Sequence, residues 1–91
     1  MSLKVILFAN YREIAGVKEI DLDIKDGTVK KVIDDLINRF PGLSAVLLLD
    51  GEIKRYVNVL VNGTNIRDIE GINSPVPEGA EIKVFPPVSG G

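Results

Sequence analysis

Residues 28–40 read TVKKVIDDLINRF and form the stretch of this 91-residue chain that decides its fold. Apolar side chains recur there at helical spacing, and polar side chains fill the opposite side. The apolar residues are Val29, Val32, Ile33, Leu36 and Phe40. Thr28 suits a helix N-cap, Pro41-Gly42 predicts the helix end, and Lys31 and Asp35 are spaced for an ion pair. The stretch therefore predicts one amphipathic helix, whose apolar face needs a second layer to pack against.

The second layer is a β-sheet, because several segments outside the helix have strand patterns. These segments are residues 3–10, 18–25, 56–62 and 80–85. β-Branched residues are frequent in them, and residues 18–25 alternate strictly between apolar and charged side chains. Asn62-Gly63 is a strong signal for a tight turn between strands.

Three shorter segments have weaker patterns. Residues 11–16 contain good helix formers before a glycine, so they predict a short helical turn or a loop. Residues 43–49 are an apolar run that fits a strand or a buried helical turn; we favour a helix with Ser44 as its cap. Residues 66–76 are irregular, with a helical turn expected at residues 68–70.

This order of segments predicts an α+β fold of the β-grasp, or ubiquitin-like, type. We expect a mixed sheet of four to five strands with one main helix across one face. A right-handed crossover after the second strand places the first and last strands parallel in the middle of the sheet. The β-grasp domain is expected to span residues 1–86, followed by a flexible C-terminal tail over residues 87–91 that ends in Gly-Gly.

Composition excludes several kinds of function. The chain has no cysteine and no histidine, which excludes a disulfide, a thiol nucleophile, a thiolate metal site and a histidine general base. The net charge of −2 gives no basic footprint for nucleic acid. No apolar run approaches the roughly 20 residues that span a bilayer, and the first residues lack a signal-peptide pattern. We therefore expect a cytoplasmic protein that binds no metal, nucleic acid or membrane.

Strand parity predicts an apolar patch on the sheet face away from the helix. If Val5, Leu7, Val57, Val59, Ile82 and Val84 face the helix, alternate residues face the other way. The large apolar residues among these are Ile6, Phe8, Leu60 and Phe85. Contiguous apolar patches on a protein surface mark interaction sites. The alternative is a second small core, covered by residues 43–49.

The chain closes with Phe85-Pro86-Pro87-Val88-Ser89-Gly90-Gly91, directly after the last predicted strand. Proline has no N–H for a strand ladder, so the two prolines end the strand, and Pro-Pro is stiff and extended. The two glycines have no side chains, so they fit a channel too narrow for a Cβ. The pattern suits a terminal carboxylate that another enzyme activates; a frayed terminus is the alternative.

Three stretches together resemble the MoaD/ThiS family of small sulfur carriers, most closely the small subunit of molybdopterin synthase. They are Phe8-Ala9-Asn10-Tyr11-Arg12-Glu13, the Val57-Asn58 strand leading to Asn62-Gly63, and the closing run from Pro77 to Gly91. The Phe-Pro-Pro-Val-Ser-Gly-Gly ending is specific, whereas the other stretches are weak alone. Departures are Ala80, where the family often has Asp, and a longer segment 65–76; they leave the pathway open, not the fold.

The resemblance implies a ubiquitin-like sulfur carrier rather than a complete enzyme. An adenylyltransferase of the ubiquitin-activating type would use ATP to adenylate the Gly91 carboxylate, and sulfur would displace AMP to leave a thiocarboxylate. The tail would then enter the large subunit of molybdopterin synthase and donate sulfur to a pyranopterin precursor in molybdenum or tungsten cofactor biosynthesis. The chain itself is expected to bind no cofactor.

The resemblance also implies roles for residues other than Gly91. Phe8 and Phe85 match apolar docking positions of the family, and Leu60 joins them by strand parity. Arg12 and Tyr11 match positions for which a contact role and a purely local role both stay open. The residues expected to bind partners are Phe8, Leu60, Phe85, Pro86, Pro87, Val88, Ser89 and Gly90.

Other functions use the same tail chemistry. A ubiquitin-like modifier would be conjugated through Gly91 to lysines of its substrates, and related carriers supply sulfur for tRNA thiolation or thiamine synthesis. Thiamine-type carriers are typically shorter and lack the Phe-Pro-Pro arm. A plain interaction module, in which the Gly-Gly ending is incidental, is the remaining alternative.

Overall fold

The computed structural model describes residues 2–24 and 27–87. Its strands are β1 (Leu3–Leu7), β2 (Glu19–Leu22), β3 (Gly27–Thr28), β4 (Leu48–Leu49), β5 (Glu52–Ile53), β6 (Asn58–Val61), β7 (Thr64–Asn65), β8 (Pro75–Val76) and β9 (Glu81–Phe85). Its helices are α1 (Ala9–Ala15), α2 (Val29–Arg39) and α3 (Leu43–Leu47).

The main sheet has five strands in the order β2-β1-β9-β6-β7. β1 pairs with β9 in parallel and with β2 antiparallel, and β9 pairs antiparallel with β6. The first and last strands therefore lie side by side in the middle of the sheet. This confirms the predicted α+β, ubiquitin-like arrangement.

One face of this sheet packs against α2. The helix buries Val29, Val32, Ile33 and Leu36, as its apolar spacing predicts. The strands contribute the residues that parity assigned to this side: Val5, Leu7, Val57, Val59, Ile82 and Val84 are all buried. Each such side chain contributes about 1.5–3 kcal/mol when it leaves water. These contacts fix which face of the sheet points away from the helix.

The start of α2 is held differently from the prediction. Thr28 precedes the helix, but its side chain makes no capping hydrogen bond. Instead, the N–H of Val29 donates to the carbonyl of the buried Ser74, at 3.0 Å. A distant segment therefore satisfies a helix N–H that normally lacks a partner within the helix.

The ion pair predicted on α2 is wrong by one position. Lys30, rather than Lys31, pairs with the residue four positions along, and its Nζ lies 3.2 Å from Asp34. The Lys31 side chain runs past Gly27, where its Cδ would lie 3.6 Å from an added Cβ. That path directs Lys31 towards the start of the helix and away from Asp35.

Residues 43–49 are divided between two elements. Leu43–Leu47 form the predicted helix, and Leu48–Leu49 pair with β5 across the Asp50-Gly51 turn. Ser44 as the helix cap was wrong, because the helix begins directly after Gly42 without a side-chain cap. Its buried leucines join the main core.

The other strand predictions were correct in place but too long. β1 ends at Leu7 because Ala9 has a positive φ of 51° and starts α1. The helical turn predicted at residues 11–16 covers only part of this helix.

Residues 66–76 contain two 3-10 turns, Ile66–Asp68 and Gly71–Asn73, so the turn expected at residues 68–70 was misplaced. The Ser74 hydroxyl accepts the N–H of Glu70 at 3.0 Å, so this hydrogen bond spans the second turn.

No helix in residues 2–24 and 27–87 has the length and apolar character needed to cross a membrane.

Candidate functional site

The sheet face opposite α2 carries the apolar residues that strand parity predicted. We call Ile6, Phe8, Leu60 and Phe85 the outer patch. Phe8 is 37% exposed, and the other three are half-buried. The strand registers place Ile6 and Leu60 on either side of Lys83, and Phe85 opposite Asn58. The patch therefore spans the three central strands.

Phe8 and Phe85 are in direct contact. Their ring centroids are 6.0 Å apart and the rings meet edge to face, with an interplanar angle of 80°. This geometry directs the positive ring edge at the negative ring face, an arrangement that aromatic pairs favour. The contact joins the end of the first strand to the end of the last one.

The backbone fixes Phe8 at the point where β1 becomes α1. Its N–H donates to the carbonyl of Val84 at 3.2 Å, which extends the parallel pairing with β9 by one residue. Its own carbonyl accepts the N–H of Tyr11 at 3.1 Å, inside the first turn of α1. Because both sides of the residue are held, the Phe8 ring stays on the outer face although it is partly exposed.

Lys83 lies in the middle of the outer patch. Its Nζ is 3.7 Å from a carboxylate oxygen of Glu81, and the two side chains are 43% and 49% exposed, respectively. Between β1 and β2, Lys4 and Glu19 form a second loose pair at 3.8 Å. The outer face is therefore apolar in its centre, with one ammonium group inside the apolar area.

The C-terminal arm begins inside this patch. Phe85 is the last residue of β9, Pro86 is half-buried and Pro87 is exposed. The strand ends there, as predicted from the missing proline N–H. Val88, Ser89, Gly90 and Gly91, which were expected to form the rest of the arm and its reactive tip, lie outside the described residues.

The alternative of a second core under residues 43–49 is wrong for this segment. α3 contacts α1 and α2, and its leucines Leu43 and Leu47 belong to the main core. That core lies on the helix side of the sheet. The segment therefore leaves the outer patch uncovered.

Tyr11 and Arg12, whose roles the sequence left open, have different environments. Tyr11 is only 1% exposed and is a core residue. Burial raises the pKa of its hydroxyl above the usual value of 10.0, with a smaller contribution from the nearby Tyr56. Arg12 is exposed on α1. A contact role therefore remains open for Arg12 only.

The sequence did not indicate the role of Arg67. Its guanidinium group donates to the carbonyl oxygens of Arg55 and Val57 and to the side-chain oxygen of Asn58, the last at 3.3 Å. It thus holds residues 55–58, which lead into β6, in place beside the outer patch. No local pattern reveals this role, because Arg67 lies in an irregular segment and its partners lie in the stretch before β6 and at the first residue of that strand.

Among residues 2–24 and 27–87, no cluster of three or more carboxylates could hold a metal ion. The outer patch itself offers apolar contact, the Lys83 ammonium group and the start of the arm.

Known proteins with the same sequence pattern and fold include carriers and modifiers. Small archaeal modifier protein 3 of Haloferax volcanii is 39% identical over 92 residues, which cover 100% of this chain and 100% of that protein. The molybdopterin synthase sulfur carrier subunit of Arabidopsis thaliana is 32% identical over 92 residues, covering 100% of this chain and 84% of that protein.

Solved structures share the fold over nearly the whole chain. The crystal structure of SAMP1 from Haloferax volcanii matches with a TM-score of 0.87 and 34% identity, covering 100% of both chains. A chain of the BexX/CysO complex from Amycolatopsis orientalis matches with a TM-score of 0.85 and 30% identity, covering 98% of this chain and 99% of that chain. In the second structure, a protein of this fold is therefore in complex with another protein.

The sequence model of the ThiS family matches residues 5–91, which include the outer patch, both terminal glycines and all of the main sheet except the first two residues of β1. This chain therefore belongs to the ThiS family of ubiquitin-like sulfur carriers.

Proposed function

We propose that this chain is the sulfur-carrier subunit of a molybdopterin synthase and that Gly91 carries the sulfur. A carboxylate oxygen of Gly91 attacks the α-phosphorus of ATP in an adenylating enzyme, and pyrophosphate leaves. Hydrosulfide then adds to the acyl carbon, AMP leaves with the electron pair of its bond to that carbon, and the added sulfur loses its proton. The product is a thiocarboxylate, whose sulfur is a good nucleophile for the pyranopterin precursor.

The observation that carries this proposal is the continuity between the outer patch and the tail. Phe85 contacts Phe8 in the patch and is the last strand residue before Pro86 and Pro87. A partner that docks on the patch therefore holds the root of the tail. A fixed root reduces the loss of freedom when the tip enters an active site. We propose that the adenylating enzyme and the large synthase subunit use this surface in turn.

Residues of this chain act mainly by positioning the tail and by allowing its tip to enter an active site. The proline pair gives the arm a stiff, extended start, and the two glycines allow the tip to pass a constriction. Arg12, which is exposed on α1 close to Phe8, is a candidate for a polar contact at the rim of the docked surface. None of these residues performs the bond-breaking steps, which take place in the partner enzymes.

A second candidate is protein modification through Gly91. It is favoured by one observation, the 39% identity to a relative named as a small archaeal modifier protein. The amine of a substrate lysine would attack the activated Gly91 carbonyl and form an amide, and the leaving group would depart from the same carbon. The two candidates share the activation step and differ in the nucleophile that ends the reaction.

The experiment that tests the proposal measures the intact mass of the chain after incubation with ATP, sulfide and a co-expressed adenylating enzyme. We expect a mass gain equal to the replacement of one oxygen by one sulfur. A variant that lacks Gly91 should remain folded and show no gain. No gain in the full chain, with an enzyme that is shown to release pyrophosphate with another carrier, would overturn the proposal.

The acceptor is identified in a second step. Transfer of the sulfur to a pyranopterin precursor, in the presence of the large synthase subunit, supports the molybdopterin role. Trypsin cuts after Lys83, so a conjugated lysine would retain residues 84–91 as a tag. Detection of this tag on cellular proteins, without transfer to the pterin, would support the modifier instead.

A further inference from the structure

Lys83 lies within the outer patch, and the proposed function does not explain its charge. Its neighbours across the strands are Ile6 on β1 and Leu60 on β6. Two positions further along its own strand is Phe85. Three of the four outer-patch residues therefore surround the Lys83 stem, and its ammonium group lies where a partner would exclude water.

The ammonium group is only weakly compensated within the chain. Glu81 is its ion-pair partner in the described residues, at 3.7 Å, and both side chains are nearly half exposed. Such a pair is long, screened by water and of little energetic value in the free protein. Once a partner covers the patch, the same ammonium group loses its hydration. A buried charge that lacks a close counter-charge strongly opposes binding.

We infer that the protein which docks on the outer patch places an aspartate or glutamate carboxylate opposite Lys83, within an otherwise apolar contact. This inference rests on the proposed function, because it assumes that the adenylating enzyme docks on this face. It adds the chemistry of the partner surface: apolar side chains that meet the aromatic pair and the aliphatic residues, with one acidic side chain among them. Lys83 is then a specificity-determining residue.

The sign of one substitution separates this arrangement from an adventitious lysine. Lys83→Met keeps the length of the stem and removes the charge. If a carboxylate faces Lys83, the substitution leaves that carboxylate unpaired in the interface, and binding weakens. If no carboxylate faces it, the substitution removes the burden of dehydrating the ammonium group, and binding becomes tighter.

The experiment compares wild type, Lys83→Met and Lys83→Arg as full-length chains. The probe is the adenylating enzyme that supports the mass gain at Gly91, and calorimetry measures the dissociation constant. Lys30→Met is the matched control, because Lys30 is an exposed lysine on α2, on the other side of the sheet. We expect Lys83→Met to weaken binding on the order of tenfold, and Lys83→Arg and Lys30→Met to stay near wild type.

A second measurement locates the carboxylate itself. A zero-length carbodiimide joins an amine to a carboxylate in contact with it, so the complex should yield an amide between Lys83 and an acidic residue of the enzyme. Tighter or unchanged binding of Lys83→Met relative to Lys30→Met, or no such amide, would overturn the inference. Absence of the Gly91 mass gain in the wild-type chain is a separate outcome, which overturns the proposed function and this inference together.

Discussion

The rings of Phe8 and Phe85 meet edge to face with centroids 6.0 Å apart, and they join the turn after the first strand to the origin of the C-terminal arm. The contact exists because β1 and β9 are parallel neighbours, so both strands end on the same side of the sheet. It connects the proposed docking surface with the start of the arm that we propose a partner receives. We therefore expect the aromatic pair to have two separable effects, on stability and on docking.

The first prediction concerns this aromatic pair. Phe8→Ala and Phe85→Ala are each expected to lower the free energy of unfolding modestly, since both rings keep some exposure to water. A double-mutant cycle by urea unfolding should give a coupling energy of about 0.5–1.5 kcal/mol between them. Binding to the adenylating enzyme should fall much further, by roughly tenfold or more for each variant.

Ile14→Ala is the control for the aromatic pair, because Ile14 is an exposed apolar residue outside the outer patch, on α1. It should leave binding unchanged. Equal losses of binding for Ile14→Ala and Phe8→Ala would show that the outer patch has no special role.

The second prediction concerns Asn62 and separates two of its contributions. Asn62 and Gly63 both have positive φ, 50° and 87°, as the turn between β6 and β7 requires. The Asn62 side chain also accepts the N–H of Glu81 at 2.9 Å, at the start of β9. Asn62→Gly keeps the conformation and loses the hydrogen bond, for a loss of about 1 kcal/mol. Asn62→Ala adds the strain of positive φ and should lose about 2 kcal/mol.

Asp50→Gly is the matched control for Asn62→Gly. Asp50 holds the same place in the turn between β4 and β5, with a φ of 53°. Thermal and urea unfolding should show little change for Asp50→Gly. A loss as large as that of Asn62→Gly would mean that the Glu81 hydrogen bond contributes nothing.

Local sequence predicts the elements that depend on interactions between residues close in the chain. Asn62-Gly63, the alternating residues of β2 and the apolar stripe of α2 each specify an element through interactions within a few residues. The outer patch also followed from sequence, because strand parity is a local property. By contrast, the Ser74 carbonyl at the start of α2 and the Arg67 guanidinium group act between segments that are far apart in the chain. No periodicity or turn signal records such contacts, so the sequence predicted neither of them.

The third prediction tests Arg67. The guanidinium group reaches the carbonyl of Val57 at 2.9 Å, the carbonyl of Arg55 and the side chain of Asn58. A lysine ammonium group cannot reproduce this planar set of donors. We therefore expect Arg67→Lys to lower the free energy of unfolding by about 1–2 kcal/mol. Hydrogen exchange should accelerate most in residues 55–58, since these lose their anchor.

Arg39→Lys, at the exposed end of α2, is the corresponding control. It should change neither the unfolding free energy nor the exchange of residues 55–58. Uniform acceleration of exchange across the chain in Arg67→Lys, without a local maximum, would contradict the assigned role.

The last prediction concerns pH and the buried Tyr11. Burial raises the pKa of its hydroxyl above 10.0, with Tyr56 as the smaller cause. Above that pH, the unfolded chain releases the Tyr11 proton while the folded chain retains it. The folded state then binds more protons than the unfolded state, so the free energy of unfolding falls as pH rises. Tyr11→Phe has no hydroxyl to titrate, and its alkaline decline should be shallower than that of wild type. Urea unfolding at a series of pH values on both sides of 10.0 measures this difference.

Tyr56→Phe is the control, because Tyr56 is 51% exposed and its loss removes only the smaller cause of the raised Tyr11 pKa. Parallel alkaline declines in wild type and Tyr11→Phe would mean that the Tyr11 hydroxyl titrates alike in the folded and unfolded chains.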